Sequence, residues 1–310
     1  MNKANYILET FDITKKYKET VAVDKVNMHI EEGDIYGFVG ENGAGKTTII
    51  RLVTGLSLPN SGEYSLFGVK STDKAINDAK RKISGIVESV TINRSMTALE
   101  NLKLQCMITS STKTDEELIA LISKVGLNYE EIKNKKASNF SLGMRQRLGL
   151  AVAMVSDPKF ILLDEPMNGL DPQGFVEVRE IILKLHEEGV TFLISSHILS
   201  ELDKICNKIG FISHGKLLEE ISIEDLHNKS RKKTVIVTKE QDKLLDLLKN
   251  KLSLSDFETE GDKISIYDNT DINDLINLIS ENKININSFN VLEDTIEDYY
   301  INLVMRGSHE

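Results

Sequence analysis

The apolar residues of this chain change their spacing from one stretch to the next, and each spacing predicts an element. Over residues 6–39 the pattern is that of strands. Val26, Met28 and Ile30 alternate with polar residues, and Ile35-Tyr36-Gly37-Phe38-Val39 is a short apolar run that reads as a buried strand. Within 46–56, Ile49, Ile50, Leu52 and Val53 repeat at helical spacing, and strands are expected near 63–67 and 82–87. Three helical segments follow, at 97–107, 115–125 and 142–155. Strands at 160–163, 191–195 and 209–212, with helices between them, resume the alternation. This order describes a parallel α/β sheet interrupted by a helical insertion at about 97–155.

After residue 225 the pattern restarts: strand 234–238, helix 241–252, strand 263–267, helix 272–281, strand 284–289 and helix 296–304. A small α+β domain at 226–310, distinct from 1–225, is the economical reading. Arg231-Lys232-Lys233 at the junction reads as a solvated hinge, because acidic residues outnumber basic ones around it.

Composition narrows the class. At about 150 residues per domain a chain of 310 residues fits two domains, and 40% hydrophobic residues suffice for a sizeable core. The net charge of −10 is spread over both parts, so no nucleic-acid partner is expected. Cys106 and Cys206 lie far apart in the sequence, in no C-x-x-C pair, and read as buried thiols of a reducing compartment. No apolar stretch approaches the ~20 residues that span a bilayer, and no signal-type leader is present at the N-terminus, so a cytoplasmic chain is expected.

The chemistry begins at Gly40-Glu41-Asn42-Gly43-Ala44-Gly45-Lys46-Thr47, which satisfies G-x-x-x-x-G-K-[ST] between a predicted strand and a predicted helix, with Thr48 next in line. Backbone N–H groups of such a loop turn inward on phosphate oxygens, glycines at 43 and 45 supply the conformations and room, and the helix adds its positive end. Lys46 then reaches the β- and γ-phosphates of ATP and the Thr47 hydroxyl binds Mg2+. A second carboxylate for the metal is expected at the end of an apolar strand. Phe160-Ile161-Leu162-Leu163-Asp164-Glu165 offers Asp164 for Mg2+, through water, and Glu165 as the base for the attacking water, a role worth ~10^2 to 10^4 in rate.

Together with Ser141-Leu142-Gly143-Met144-Arg145-Gln146-Arg147, Asn168-Gly169-Leu170-Asp171-Pro172 and Ser196-His197, these motifs resemble, in order, the nucleotide-binding subunit of an ATP-binding cassette (ABC) transporter, over about residues 6–222. The resemblance implies a P-loop NTPase core with an antiparallel β subdomain and a helical subdomain insertion, plus the small C-terminal α+β domain. It implies that Tyr17 stacks on adenine, that His197 contacts the γ-phosphate, and that Asp171 lies in the loop joining two subunits. It also implies that Ser141 and Gly143 contact the γ-phosphate held by a partner copy, with Leu142 replacing the first signature glycine. ATP and Mg2+ are the expected cofactors. A head-to-tail homodimer in the ATP state and separate integral membrane permease subunits are the expected partners, with the chain peripheral on the cytoplasmic face of the membrane.

One departure is informative. Within Ile83-Ser84-Gly85-Ile86-Val87-Glu88-Ser89, a glutamate, Glu88, stands where relatives carry the glutamine that touches Mg2+ and passes movement to the permease. That glutamate, and the extension closing in Ile296-Glu297-Asp298-Tyr299-Tyr300, resemble the exporters that protect bacteria from lantibiotics and related peptide antibiotics. The rival readings are an ABC ATPase for a drug, lipid or ion, and a soluble ABC protein acting on DNA or ribosomes. Translation-type members carry two cassettes and chromosome-type members a long coiled coil between loop and signature; this sequence has neither. A silent docking protein would be expected to lack Glu165 or His197, and both are present.

Overall fold

The computed structural model of the protein describes residues 5–229, 232–268, 270–293 and 295–307. Arg231 of the expected hinge lies outside the described residues. The chain divides into two compact units, the first ending at Glu224 and the second spanning Asp225–Met305.

The first unit opens with β1 (Tyr6–Tyr17), β2 (Thr20–Val26) and β3 (His29–Glu31), followed by β4 (Ile35–Val39) and α1 (Lys46–Thr54). Then come β5 (Ser61–Leu66), β6 (Val69–Lys70), α2 (Ile76–Lys80) and β7 (Ile83–Ile86). The helical insertion holds α3 (Ala98–Thr109), α4 (Asp115–Lys124), α5 (Tyr129–Ile132) and α6 (Leu142–Ala153). Its first two helices start at Thr97 and Thr114, each closing a capping box with a glutamate three residues on, which satisfies backbone donors left free at a helix start. The unit ends with β8 (Phe160–Asp164), α7 (Pro172–Glu187), β9 (Thr191–Ser196), α8 (Leu199–Leu202), β10 (Lys208–Ser213) and β11 (Lys216–Ser222).

Among the described residues two sheets form this unit. One is antiparallel, β2-β1-β5-β6 with β3 on β1. The other runs β11-β10-β4-β9-β8-β7 and is parallel except for the β10–β11 edge pair. Every residue of β4, β8 and β9 is buried, as expected of inner strands covered on both faces. Because these three strands are adjacent and parallel, the glycine loop after β4, Glu165 after β8 and His197 after β9 emerge at one sheet edge.

Two strand expectations need correction in detail. The alternating stretch through Val26 and Ile30 is two strands, since the buried Thr10 hydroxyl donates to the Val26 carbonyl and accepts from the Met28 N–H, taking up two of the backbone groups that a continuous ladder would pair. The strand expected at 284–289 is β15 (Ser288–Glu293) instead. Lys283 has a positive φ that ends the preceding helix, and the Glu240 carboxylate accepts from both the backbone and side-chain nitrogens of Asn285, holding an irregular link. Cys206 is buried, whereas Cys106 is only half-buried.

The second unit, after α9 (Ile223–Lys229), contains β12 (Lys232–Val237), α10 (Gln241–Leu252), β13 (Phe257–Glu260), β14 (Lys263–Ile266), α11 (Ile272–Glu281), β15 and α12 (Ile296–Gly307). Its sheet, β13-β14-β12-β15, is antiparallel throughout. Ile236, Ile264 and Ile266 of the sheet share one core with Leu244 and Leu248 of α10 and Leu275 and Leu278 of α11. No helix among the described residues is long and apolar enough to cross a membrane.

Candidate active site

The loop between β4 and α1 owes its shape to glycines, for two different reasons. A Cβ on Gly40 would sit 2.4 Å from the Ile212 carbonyl, and one on Gly45, whose φ is +114°, would sit 2.6 Å from the Ala22 carbonyl. Gly43 has open space around it but a φ of +86°, so there the backbone conformation rather than crowding calls for glycine. The tip, Glu41 to Gly43, faces solvent, while Ala44, Gly45 and Lys46 are buried. Thr47 and Thr48 are half-buried in the first turn of α1.

Lys46 is 5% exposed and curls back over this loop: its Nζ donates to the Gly40 carbonyl at 2.6 Å and the Glu41 carbonyl at 3.2 Å, and lies 3.4 Å from Glu165 Oε1. The other carboxylate oxygen of Glu165 meets His197 Nδ1 at 2.7 Å. Beside this trio the Thr47 hydroxyl donates to Asp164 Oδ2 at 2.8 Å. A residue not singled out from the sequence completes the cluster: the buried Ser195 hydroxyl donates to Asp164 Oδ1 at 2.6 Å and accepts from the Glu165 N–H at 3.1 Å. Ser195 thus fixes both acidic residues to the neighbouring strand.

Two marks of strain or unmet bonding fall on Glu165. Its φ is +50°, uncommon for a residue with a side chain, and its Oε1 is buried with no hydrogen-bond partner although Lys46 stands near. Such features concentrate at functional positions, where the surrounding structure holds a conformation that costs free energy. Hydroxyl and carboxylate oxygens at Thr47 and Asp164 are hard donors of the kind Mg2+ prefers, and a glycine cradle at a helix start suits phosphate.

Other expected site residues are apart from this cluster. Ser141 caps α6, its Oγ accepting from the Met144 N–H at 3.1 Å, and Gly143 lies in the first turn of that helix. Asp171 caps α7 by accepting from the Gly174 N–H at 2.9 Å. Neither cap bonds to the Lys46 cluster within this chain. The signature helix is tied to the strand-end loop instead by Gln146, whose Nε2 donates to the Pro166 carbonyl at 2.7 Å.

Tyr17, at the end of β1, is 40% exposed, with the Lys15 ammonium 5.1 Å from its ring centre. Hydrogen bonding from Ser57, and then from Arg51, lowers the phenol pKa, with the Lys15 charge acting in the same direction. Glu88 has a φ of +63°, and its carboxylate pairs with Arg51 Nη2 at 2.5 Å. No bond joins it to Thr47 or Asp164 among the described residues.

Comparison with known proteins agrees with this geometry. The ABC transporter family profile matches residues 23–168. The bacitracin transport ATP-binding protein BcrA of Enterococcus faecalis is 37% identical over 304 residues, covering 97% of each chain. The lantibiotic transport ATP-binding protein SrtF of Streptococcus pyogenes is 38% identical over 222 residues, 72% of this chain and 93% of that protein. Among solved structures, a dimeric bacterial ABC transporter cassette superposes with a TM-score of 0.63 at 25% identity, over 70% of this chain and 98% of that one. Glycine loop, paired strand-end acids, signature helix and full-length kinship lead to one assignment: the chain belongs to the ATP-binding subunits of ABC transporters and is an ATPase.

Proposed function

We propose that this ATPase powers export of an antibiotic of the bacitracin or lantibiotic kind, working as a head-to-tail homodimer with separate permease subunits at the cytoplasmic face of the membrane. The observation that carries the substrate class is the extent of the kinship with BcrA. It covers 97% of both chains and therefore includes the C-terminal unit, which holds none of the ATPase motifs.

In each site Lys46, the N–H groups of residues 40–48 and the positive end of α1 hold the triphosphate. Thr47 and Asp164 would hold Mg2+, and Glu88 would add a third oxygen ligand. Bound there, the metal supplies positive charge that offsets the charge developing on the phosphoryl oxygens. Glu165 accepts the proton of the attacking water, and its bond to His197 keeps the carboxylate turned toward the phosphate side of the loop. Tyr17 supports the adenine ring, a stacking contact worth about 1 kcal/mol. Ser141 and Gly143 close the partner's site, and Asp171 stands at the junction between the copies.

Cells deleted for this gene and its permease should regain tolerance to bacitracin or a lantibiotic when both are returned, and not when the chain returns with Lys46→Ala. Co-purification in mild detergent should bring down integral membrane permeases. Recovery of ribosomes or DNA without a membrane protein would overturn the transport reading.

A further inference from the structure

Arg51 was not among the residues the motifs single out, yet it pairs with one that was, Glu88. It lies on α1, four residues after Thr47, so one helical turn separates it from the phosphate and metal side of the helix. Its guanidinium meets the Glu88 carboxylate at 2.5 Å. A planar guanidinium has five N–H donors in a fixed fork that matches a carboxylate, which a lysine ammonium on a flexible stem does far less well.

The pair is not a buried structural brace. Arg51 is 38% exposed and Glu88 56% exposed, and isolated pairs of that kind contribute little to stability, about 0 to 1 kcal/mol. Glu88 also sits in the backbone conformation of positive φ at the end of the β7 segment, so its side chain is aimed by the loop rather than by free rotation of a regular strand. A neutral glutamine at this position would leave Arg51 without a charged partner and leave any metal without a charged competitor to displace.

We infer that Arg51 is a positioning residue that holds Glu88 one turn along α1 from Thr47 and thereby sets how much divalent cation is needed to load the nucleotide. The inference rests on the reading of Glu88 as a metal-side residue. Its physical content is that one negative charge is shared between a fixed cation, Arg51, and a cation that arrives with ATP. Removing the fixed cation frees the carboxylate and lowers the metal requirement. Removing the carboxylate makes Arg51 irrelevant to that requirement.

The test is a two-by-two cycle on the purified full-length chain, with wild type, Arg51→Gln, Glu88→Gln and the double variant. Binding of a fluorescent ATP analogue is followed as Mg2+ is titrated, with thermal unfolding recorded for each protein. Arg51→Gln should lower the Mg2+ concentration for half-saturation by at least threefold when Glu88 is present and by less than 1.5-fold when Glu88→Gln is also present. An equal shift in both backgrounds would mean that Arg51 acts without Glu88, and no shift in either would mean that the pair does not bear on the metal; both outcomes overturn the inference. Should Arg51→Gln unfold, Arg51→Met removes the same charge and reads the same quantity, with the same lowering of at least threefold expected when Glu88 is present and a wild-type or higher value counting against the inference. Failure of the underlying site reading looks different: Lys46→Ala would then bind the analogue as tightly as wild type.

Discussion

The sheet that carries the site in the first unit and the sheet of the second unit are of opposite design, and their chemistry differs accordingly. In the first, β4, β9 and β8 are adjacent and parallel, so all three carboxyl ends lie at one edge. Residues 40–47, 164–165 and 197 are distant in sequence but share that edge. In the second unit every strand pair among the described residues is antiparallel, so successive strand ends alternate between opposite edges and no comparable convergence forms among those residues. Its ion pairs include a local one, Glu240 with Lys243, and a remote one, Lys233 with Asp298, and neither belongs to a cluster like that around Lys46. A parallel sheet assembles a site from remote motifs at the cost of burying entire strands; an antiparallel one makes a compact body whose polar groups satisfy their neighbours.

The sharpest way to break that contrast is to change the first unit at one residue. Lys46→Ala removes the cation that bridges loop carbonyls and Glu165 and should abolish ATP hydrolysis, with activity falling to background in a phosphate-release assay. Glu165→Gln should be nearly as severe in turnover, about 10^2-fold or more, because an amide cannot accept the proton of the attacking water. Binding should survive, since Glu165 is not a loop donor, so this variant should accumulate as an ATP-bound dimer in size exclusion with ATP and Mg2+. A monomer with normal turnover would remove Glu165 from the mechanism.

These residues were legible because their types and spacing are rare in combination, and the helices 241–252 and 272–281 because their apolar residues keep one face over three turns. α10 and α11 occupy those same bounds. What escaped the sequence has a common cause: partners remote along the chain. Ser195 is an ordinary hydroxyl at the end of an apolar strand until Asp164 is set beside it by strand pairing. Arg51 reads as a surface charge on a helix until β7 delivers Glu88. β11 lacks alternation through Leu217-Leu218-Glu219-Glu220, yet Glu220 accepts from the His29 N–H and the Tyr36 hydroxyl, far away in sequence. Burial, and then that neighbouring carboxylate, push the Tyr36 pKa well up, so the phenol stays a donor there. Ser141 and Asp171 show the opposite limit: within one chain they are helix caps, and their proposed role needs a second copy.

A milder challenge to the comparison removes the second unit. Every residue assigned above to the nucleotide site belongs to the first unit, so a chain ending at Asp225 should keep ATP affinity within tenfold, checked by titration after confirming a cooperative thermal transition. A greater loss, which exceeds 1.4 kcal/mol, would mean that the second unit helps to build the site. Because the kinship with BcrA extends through this unit, the truncated chain is expected to lose antibiotic tolerance in cells even where its ATP binding is normal.

The smallest effect on hydrolysis is expected at Glu88. Its carboxylate is exposed and held by Arg51, and none of the bonds within the Lys46, Glu165 and His197 cluster passes through it. Glu88→Gln should therefore leave ATPase activity of the isolated subunit within a few-fold at saturating Mg2+. The loop that carries it has a second proposed task, passing movement to the permease, and there a charge that changes partner between nucleotide states has a lever that an amide lacks. Tolerance of cells carrying the permease should fall while the ATPase rate holds. Loss of ATPase activity as complete as that of Lys46→Ala would make Glu88 part of the hydrolytic machinery. Wild-type behaviour in both assays would leave the glutamate without a role in coupling and would remove one of the two supports, beside full-length kinship, for the antibiotic-export reading.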